Sequence, residues 1–350
     1  MAMAERPHRA DRGPVLGVIL AGGLGTRLRP LTHLLPKAMV PLLNRPLIAY
    51  AVEMLASAGI DEVVVVVSAR DEGTEAAARR AARPSVRLAL AVQAEPRGSG
   101  DAVLSVGAAL EGRPVVVLAV DTVLTGDSLT RHVAAFSAGD EVARVVLHRT
   151  SRPREMGIVE LAADGERIIH LEEKPDAPRS DLALVAVWML APPVVERLRA
   201  APHLNRKGEN DLSGTLAVMV GEGAHLSGSV WDGEWLDAGS LPGLLDAQDH
   251  LLAAGGGAPL PSSARLIESA VRTPVLLGED VLVERSIIGP NVVIGRGVVL
   301  RDVQIARALV APGARLVGGA YQNAVVTPDG VVVGVAREPP GRAPARRRNA

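Results

Sequence analysis

The chain has 350 residues, enough for two domains, with 48% hydrophobic and 2% aromatic residues, a net charge of −1 and no cysteine. This composition predicts a globular protein and excludes disulfides, a cysteine nucleophile and a thiolate zinc site. Scarce aromatic residues and near-neutral charge argue against a nucleic-acid partner, and no apolar run is long enough to span a membrane, so we expect a cytoplasmic protein.

The N-terminal part contains a glycine-rich loop behind a predicted strand. Residues 1–13 carry charge but no apolar signal core, so we expect a flexible leader. The run Val15–Leu20 predicts a buried strand, and the glycines that follow predict a tight loop with N–H groups open to an anion. Thr26 adds a hydroxyl donor, and Arg27 and Lys37 add positive charge. The spacing fits neither the dinucleotide fingerprint nor the Walker loop, so we interpret it as a different triphosphate site. The simpler alternative is a glycine-rich turn with solvated basic residues.

Apolar strand patterns then alternate with helical spacing. Strands are predicted at 63–67, 87–92, 115–120, 142–148, 157–161, 167–171 and 182–190. Helices are predicted at 47–58, 72–82, 99–110, 193–200, 211–222 and 241–252. This alternation predicts an α/β domain over residues 14–252, a Rossmann-like, doubly wound, mostly parallel sheet.

The period of the sequence changes after residue 252. Residues 253–263 are rich in Gly, Pro and Ser and predict a linker. From Val275 an apolar residue recurs every six positions, at Val275, Val281, Ile287, Val293, Val299, Ile305, Ala311 and Val317. This hexapeptide period predicts a parallel β-helix over 264–335, rather than ordinary hairpins. Residues 336–350 are rich in Arg and Pro and predict a disordered tail.

Six further motifs follow the glycine loop in chain order. They are Gln93-x-x-Pro96-x-Gly98, Asp121 after a buried strand, Gly157, Glu172-Glu173-Lys174-Pro175, Lys207-Gly208-Glu209 and Trp235-Leu236-Asp237-x-Gly239. Together they resemble the sugar-1-phosphate nucleotidyltransferases, in the long form that carries a C-terminal left-handed β-helix. In that family a sugar phosphate attacks the α-phosphorus of a nucleoside triphosphate and expels pyrophosphate, so the protein mainly aligns and neutralises two anions.

The resemblance implies a role for each matching residue. Those that would bind the nucleotide are Leu20, Ala21, Gly22, Gly23, Gly25, Thr26, Gln93 and Gly98. Those that would bind the sugar phosphate are Gly157, Glu173, Lys174 and Lys207. Arg27, Lys37 and Lys174 would be catalytic, and Asp121 and Asp237 would hold Mg²⁺, a hard cation suited to carboxylate oxygens. From the residues alone, Asp121 is equally consistent with a turn or helix cap, and Glu173-Lys174 with a surface ion pair.

The sequence departs from the family pattern on the sugar side. Val120 and Thr122 flank the first aspartate in place of Gly and Asn, Met156 replaces an aromatic residue, and residues 185–188 read Val-Ala-Val-Trp without the usual glycine. We therefore expect an unusual acceptor, such as a modified hexose or a cyclitol phosphate of secondary metabolism. The segments 36–41 and 44–47 resemble guanylyltransferases and slightly favour GTP, whereas Gln93 is typical of enzymes that use dTTP or UTP.

Two other functions remain open at this stage. A non-catalytic, nucleotide-sugar-binding regulatory relative would keep the fold, although it has no need of two metal carboxylates. An acyltransferase activity in the repeats would require a histidine base, and no histidine follows His250. We expect the repeats to be structural and the protein to form a homo-oligomer.

Overall fold

The computed structural model describes residues 13–255 and 260–335. The predicted tail, residues 1–12 of the predicted leader and four linker residues lie outside this range. Within it, no helix combines the length and the apolar character needed to cross a bilayer.

The first part of the chain alternates strands and helices. Its strands are β1 (Leu16–Leu20), β2 (Pro41–Leu42), β3 (Arg45–Pro46), β4 (Glu62–Ser68), β5 (Arg87–Gln93), β6 (Val115–Ala119), β7 (Thr122–Thr125), β8 (Ala143–Arg149), β9 (Gly157–Leu161), β10 (Ile168–Glu173), β11 (Leu182–Leu190), β12 (Leu226–Val230) and β13 (Glu234–Asp237). Its helices are α1 (Leu31–Leu34), α2 (Leu47–Ser57), α3 (Thr74–Ala81), α4 (Ser99–Leu104), α5 (Leu129–Ala138), α6 (Pro192–Ala200), α7 (Leu212–Gly221) and α8 (Leu241–Ala253).

A nine-stranded mixed sheet forms the centre of this part. Its main path runs β10-β9-β11-β6-β1-β4-β5, with β8 and β12 branching from β11. The β1, β4, β5 and β6 pairings are parallel, whereas β11 runs antiparallel to β6, β8 and β9. Residues 63–67 are five consecutive valines, all buried, because the sheet is covered on both faces. The sheet directs the ends of β1, β4 and β6 toward the glycine loop and Asp121.

The sequence prediction was wrong or incomplete in several elements. The helix predicted over 99–110 is broken: α4 ends at Leu104, and a short 3-10 turn begins at Gly107, whose φ of +71° interrupts the helical path. Helix α5 and the strands β7, β12 and β13 were not predicted. The three strands are short and gain their order from tertiary pairing, which sequence periodicity does not reveal. Helix α5 did carry a signal, because Ser128 is its N-cap and Leu129, Val133 and Phe136 follow at helical spacing.

The second part is a stack of short parallel strands. They are β14 (Arg265–Ile267), β15 (Ala270–Val271), β16 (Val275–Leu277), β17 (Leu282–Glu284), β18 (Ile287–Ile288), β19 (Val292–Ile294), β20 (Val299–Arg301), β21 (Gln304–Val310), β22 (Arg315–Val317), β23 (Ala320–Thr327) and β24 (Gly330–Val332). Successive turns pair in parallel, as in Leu282 with Val299, and their inward side chains form one apolar core. This arrangement is consistent with the predicted β-helix.

The strict six-residue register was wrong in detail. Val275 pairs with Val292 and Leu282 with Val299, an advance of 17 residues per turn, whereas Val292 pairs with Ala308 and Val299 with Arg315, an advance of 16 rather than the predicted 18. The predicted buried column therefore drifts by one or two positions per turn. Val317, its last member, is 72% exposed, while the neighbouring Leu316 is buried. Because successive strand residues alternate faces, a shift of one residue exchanges inside and outside.

Helix α8 joins the two parts. Arg307 on β21 is buried and forms ion pairs with Asp246 and Asp249 on α8, the latter at 2.6 Å. The buried Gln248 donates its amide N–H to the carbonyl oxygens of Asn291 and Ala308 at 3.2 and 3.1 Å. The stack is thereby fixed to the helix that directly follows Asp237.

Candidate active site

The glycine loop turns sharply after β1. Gly25 has a φ of +60°, and a side chain there would lie 2.7 Å from the methyl group of Thr32, so the position requires glycine. The Thr32 hydroxyl donates to the Gly25 carbonyl at 2.7 Å. The loop leaves Gly23, Thr26 and Arg27 exposed, while Ala21 is buried and Leu20 and Gly22 are partly buried. The predicted nucleotide-binding residues therefore form one continuous surface segment.

Lys37 lies against this loop and pairs with a carboxylate. It opens a short 3-10 turn after Pro36, and its side chain is within 3.4 Å of the place where a Gly25 side chain would begin. Its Nζ lies 2.6 Å from Oδ2 of Asp121, and both side chains are largely shielded from solvent. A cleft of about 780 Å³ is lined by Gly23 and Lys37, so an anion has room beside Lys37.

A two-stranded antiparallel sheet brings the two predicted metal-binding aspartates together. Asp121 directly precedes β7, Asp237 ends β13, and Asp237 pairs with Thr122 across the two strands. The N–H of Ala238 donates to the carbonyl of Asp121 at 3.0 Å. Two aspartates 116 chain positions apart thus become neighbours, and the motif around Trp235 forms one strand of this sheet.

Gly239 allows the carboxylates to approach each other. A side chain at this position would lie 2.3 Å from Oδ2 of Asp121 and 3.1 Å from a guanidinium nitrogen of Arg27. The N–H of Gly239 donates to Oδ1 of Asp237 at 2.9 Å. Burial, and then the nearby Asp121 charge, raise the pKa of Asp237, against the opposing effects of this N–H, Arg27 and Lys37.

Gln93 connects the glycine loop to the segment that follows β5. Its amide N–H groups donate to the carbonyl of Gly98 at 3.0 Å and to Asp101 at 2.9 Å. Its amide oxygen faces Gly22. Gly98 has a φ of +104°, and a side chain there would lie 2.2 Å from the carbonyl oxygen of Asn210. The amide of Gln93 is therefore held in one orientation beside the loop.

The predicted sugar-phosphate residues surround a second cleft, which we call the acceptor cleft. It has a volume of about 900 Å³ and is lined by Glu173, Lys174, Lys207, Trp188, His203 and Asp211, among others. Ser99 also lines it and, through its hydroxyl, accepts the N–H of Leu212 at 3.0 Å. Because Ser99 directly follows Gly98, the acceptor cleft adjoins the segment that Gln93 fixes.

Glu173 and Lys174 occupy the end of β10. Glu173 pairs with Gly157, where a side chain would lie 2.9 Å from the Glu173 carboxylate, so glycine leaves room for it. Lys174 has a φ of +48° and donates its N–H to the carbonyl of Met156 at 3.0 Å. Partial burial is the main cause that raises the pKa of Glu173, and the nearby Asp211 adds to it, against the charge of Lys174.

The structure adds residues that the motifs did not indicate. The residues that shape or line the site in this way are Asn210, Asp101, Trp188 and His203. Asn210 could have been found from its place directly after the Lys207-Gly208-Glu209 motif.

The composition gives a stronger signal for the position of the site. The chain has only three lysines among 38 basic residues, and they are Lys37, Lys174 and Lys207. All the other basic residues are arginines. The lysines, whose ammonium group is a more compact cation than a guanidinium, therefore occur only at the two clefts.

The carboxylate pair fits a divalent cation. Within residues 13–255 and 260–335, no group of three or more His, Asp and Glu side chains forms a complete metal cage. Asp121 and Asp237 nevertheless form a close pair of hard oxygen donors, and burial together with the Asp121 charge raises the pKa of Asp237. Hard carboxylate oxygens suit a cation such as Mg²⁺ and do not suit a soft metal.

Comparison with known protein families agrees with this geometry. The family model described as "Nucleotidyl transferase" matches residues 16–254. A glucose-1-phosphate thymidylyltransferase of Streptomyces griseus is 29% identical over 86% of this chain and 88% of its own length. One of Streptomyces antibioticus is 31% identical over 78% of this chain and 80% of its own length. A low-salt glycan biosynthesis nucleotidyltransferase, Agl11 of Haloferax volcanii, is 30% identical over 67% of this chain and 66% of its own length.

Solved structures show the same fold. A crystal structure of a putative glucose-1-phosphate thymidylyltransferase from Bacillus anthracis has a TM-score of 0.61 at 23% identity and covers 71% of this chain and 98% of that chain. A UDP-glucose pyrophosphorylase from Acinetobacter baumannii has the same TM-score and identity and covers 69% of this chain.

Proposed function

This chain belongs to the nucleotidyl transferase family, and from that premise we propose that it transfers a nucleotidyl group from a nucleoside triphosphate to a sugar-1-phosphate. An oxygen of the sugar phosphate attacks the α-phosphorus, the bond between the α-phosphorus and its bridging oxygen breaks, and pyrophosphate leaves with that oxygen. The observation that carries the proposal is the assembly of Arg27, Lys37, Asp121 and Asp237 beside the glycine loop.

In the proposed mechanism the glycine-loop N–H groups and Arg27 hold the triphosphate. Lys37 would move from Asp121 to a phosphate oxygen, because the incoming triphosphate, a polyanion, is a stronger partner for a cation than one carboxylate. Lys174 and Lys207 hold the sugar phosphate in the acceptor cleft. The protein thereby neutralises two anions that repel each other and holds attacker and leaving group in line.

Asp121 and Asp237 would hold Mg²⁺ in this scheme. When bound, the ion neutralises charge that develops on the phosphates. Asp237 is oriented for this role by the Gly239 N–H, and Asp121 by the Ala238 N–H on its backbone carbonyl.

We propose dTTP as the preferred nucleotide. Two of the three relatives described above are named glucose-1-phosphate thymidylyltransferases, and the comparisons give no support to the slight preference for GTP that segments 36–41 and 44–47 suggested. The fixed amide of Gln93 supports the same choice, because Gly98 and Asp101 hold both of its N–H groups and its oxygen is left to accept the ring N–H of a thymine.

For the acceptor we propose a hexose-1-phosphate, with glucose-1-phosphate as the first candidate from the relatives' names. A second candidate is a modified hexose or a cyclitol phosphate. It is favoured by Met156, which replaces an aromatic residue of the family pattern. It is also favoured by Trp188, because residues 185–188 lack the glycine that the family pattern has there. Trp188 lines the acceptor cleft.

The three lysines provide a direct test of substrate placement. Reductive ¹³C-methylation labels the amines of Lys37, Lys174 and Lys207 and the α-amine, so the NMR spectrum contains few signals. Each lysine signal is assigned by its loss in the corresponding Lys→Arg variant. We expect dTTP to shift the Lys37 signal, and glucose-1-phosphate to shift those of Lys174 and Lys207. Shifts with the two ligands exchanged, or no shift with any triphosphate or sugar phosphate, would refute the placement.

Kinetics test the nucleotide choice separately. Pyrophosphate release is measured with dTTP, UTP, GTP, CTP and ATP against a panel of sugar-1-phosphates. We expect the highest kcat/KM with dTTP, and a Gln93→Leu variant to lose at least tenfold of the preference over purine nucleotides. A maximum with GTP that Gln93→Leu leaves intact would overturn the assignment.

A further inference from the structure

Lys207 lies on an exposed turn between α6 and α7, residues 203–210, which we call the acceptor turn. Residues 203–208 are exposed or partly exposed, and Leu204 is 57% exposed. Apolar burial therefore contributes little to the shape of this turn, and the shape depends on hydrogen bonds. Within residues 13–255 and 260–335, neither Arg206 nor Lys207 forms an ion pair that could hold its side chain.

The two ends of the acceptor turn are fixed to neighbouring elements. At its start, the N–H of His203 donates to the hydroxyl of Thr215 on α7 at 3.0 Å. At its end, the N–H of Asn210 donates to the carbonyl of Arg97 at 2.7 Å, and its own carbonyl accepts the N–H of Gly100 at 2.9 Å. The position of the tip of the turn thus depends on the bonds made between these fixed ends.

Asn205 closes the acceptor turn with both ends of its side-chain amide. Its Oδ1 accepts the N–H of Lys207 at 2.9 Å and the N–H of Glu209 at 3.1 Å. Its Nδ2 donates to Oε2 of Glu209 at 2.8 Å. Its backbone carbonyl accepts the N–H of Gly208 at 2.8 Å, and its backbone N–H donates to the carbonyl of Glu209 at 3.0 Å. These hydrogen bonds set the direction of the backbone at Lys207.

We propose that Asn205 is a positioning residue, which holds the backbone at Lys207 so that the ammonium group faces the phosphate of the acceptor. This inference rests on the proposed function, because it takes the acceptor to be a sugar phosphate. A lysine side chain has a flexible four-carbon stem, so a fixed backbone origin reduces the conformational freedom that is lost when the phosphate binds. Asn205 borders the acceptor cleft, but two backbone N–H groups occupy its oxygen, so it acts through the turn.

Alanine substitution separates this role from a general loss of order. We expect Asn205→Ala to raise the KM for glucose-1-phosphate at least fivefold and to leave kcat and the KM for dTTP within twofold, because a phosphate contact kept throughout the reaction contributes to binding alone. The matched control is Asp164→Ala. The Asp164 carboxylate accepts the N–H groups of Glu166 and Arg167, both at 2.9 Å, in a turn that lines neither cleft. An unchanged KM in Asn205→Ala, or an equal rise in Asp164→Ala, would overturn the proposal.

A rescue experiment tests the hydrogen bonds themselves. Asn205→Asp keeps an oxygen for the N–H of Lys207 but places a carboxylate against that of Glu209. Adding Glu209→Gln restores a donor opposite the new carboxylate and returns the net charge of the pair to its original value. We expect the single variant to raise the KM for glucose-1-phosphate and the double variant to restore it to within twofold of the wild type. A double variant as impaired as the single one would contradict a role through the turn.

The methylated lysines separate this proposal from the proposed function. Inorganic phosphate is titrated into the wild type and Asn205→Ala, and its Kd is obtained from the Lys207 signal. We expect the Kd to rise at least fivefold in the variant, while the Lys37 signal reports an unchanged Kd for dTTP. A wild type that binds phosphate at Lys207 but forms no nucleotide sugar would refute the proposed function and leave the positioning role intact. Equal phosphate affinities, or no response of Lys207 in the wild type, would overturn the positioning role.

Discussion

At the residue scale, the missing side chain of Gly239 allows a cation and two carboxylates to share one volume. Asp121, Asp237 and Arg27 all lie within 3.1 Å of the point where a Cβ would begin. Burial, and then the nearby Asp121 charge, raise the pKa of Asp237, so the pair is receptive to positive charge. The atoms that a methyl group would meet at this position are the ends of these three side chains, so the methyl group would displace the carboxylates themselves.

We therefore expect Gly239→Ala to reduce kcat by at least tenfold and to weaken Mg²⁺ dependence, because the methyl group forces Asp121 and Asp237 apart. The matched control is Gly221→Ala, at the end of α7, where a side chain meets no atom within 4 Å and should leave activity unchanged. Steady-state kinetics against Mg²⁺ concentration measure both. Equal activity of the two variants would disprove the role of Gly239.

At the element scale, the sheet of β7 and β13 is fixed at the end opposite its carboxylates. Asp127, just beyond β7, accepts the N–H of Asp232 at 3.0 Å and bonds with Arg131 and His132 of α5. His132 is buried and stacks on Trp231, with 5.2 Å between ring centroids. The pKa of Asp127 is lowered chiefly by the hydrogen bonds that Arg131 donates to its carboxylate. This cluster connects α5 to the strands that carry the site.

His132 should make the stability of the protein depend on pH. Burial lowers its pKa below the ordinary value, so the folded state holds the neutral ring and the unfolded state binds more protons in acid. Its stabilisation is complete above the unfolded pKa of about 6.5 and is lost as pH falls through the folded value. Each unit between the two pKa values corresponds to about 1.4 kcal/mol.

The measurement is the free energy of unfolding of His132→Phe and wild type between about pH 7.5 and 5, the range set by that reference pKa. We expect a flatter profile for the variant, which keeps the stacking on Trp231 but cannot be protonated. His170→Phe, at a half-exposed position, is the control and should follow the wild type. Parallel profiles for all three proteins would contradict the assignment.

The elements that could be predicted from the sequence are those stabilised by interactions between residues close together in the chain. The glycine loop and the strand that carries Gln93 are encoded locally, by glycines and apolar runs, and were predicted within one or two residues. The pairing of β7 with β13 depends on residues more than 100 positions apart, so the sequence indicated Asp121 and Asp237 only through a resemblance. The turn lengths of 17 and then 16 residues in the stack were likewise hidden, because the apolar period tolerates a drift of one or two positions.

At the scale of the whole molecule, Arg307 connects the repeats to the nucleotidyltransferase part. It is buried between Asp246 and Asp249 of α8 and also donates to Asn323 at 3.3 Å. Helix α8 begins four residues after Asp237 and has Ser240 as its N-cap, whose hydroxyl accepts the Gly243 N–H. The second part of the chain thus supports the helix that follows the carboxylate pair.

Arg307→Met should cost about 2–4 kcal/mol of unfolding free energy, because it leaves two partly buried carboxylates without their cation. Arg285→Met removes an exposed pair with Asp302 in the same stack and should cost about 1 kcal/mol or less. The measurement is the free energy of unfolding of the two variants and the wild type in denaturant. Equal losses would show that Arg307 does not hold the two parts together.

The central claim is that the acceptor cleft and the glycine loop together join a sugar phosphate to the α-phosphorus of a nucleotide. The most direct measurement uses glucose-1-phosphate labelled with ¹⁸O at its three non-bridging oxygens, with dTTP, Mg²⁺ and the wild-type protein, followed by mass spectrometry. We predict a dTDP-sugar that retains all three labels, unlabelled pyrophosphate, and at least a hundredfold loss of product in Asp237→Asn. Label in the pyrophosphate, or no nucleotide sugar with any pairing of triphosphate and sugar phosphate, would contradict the account.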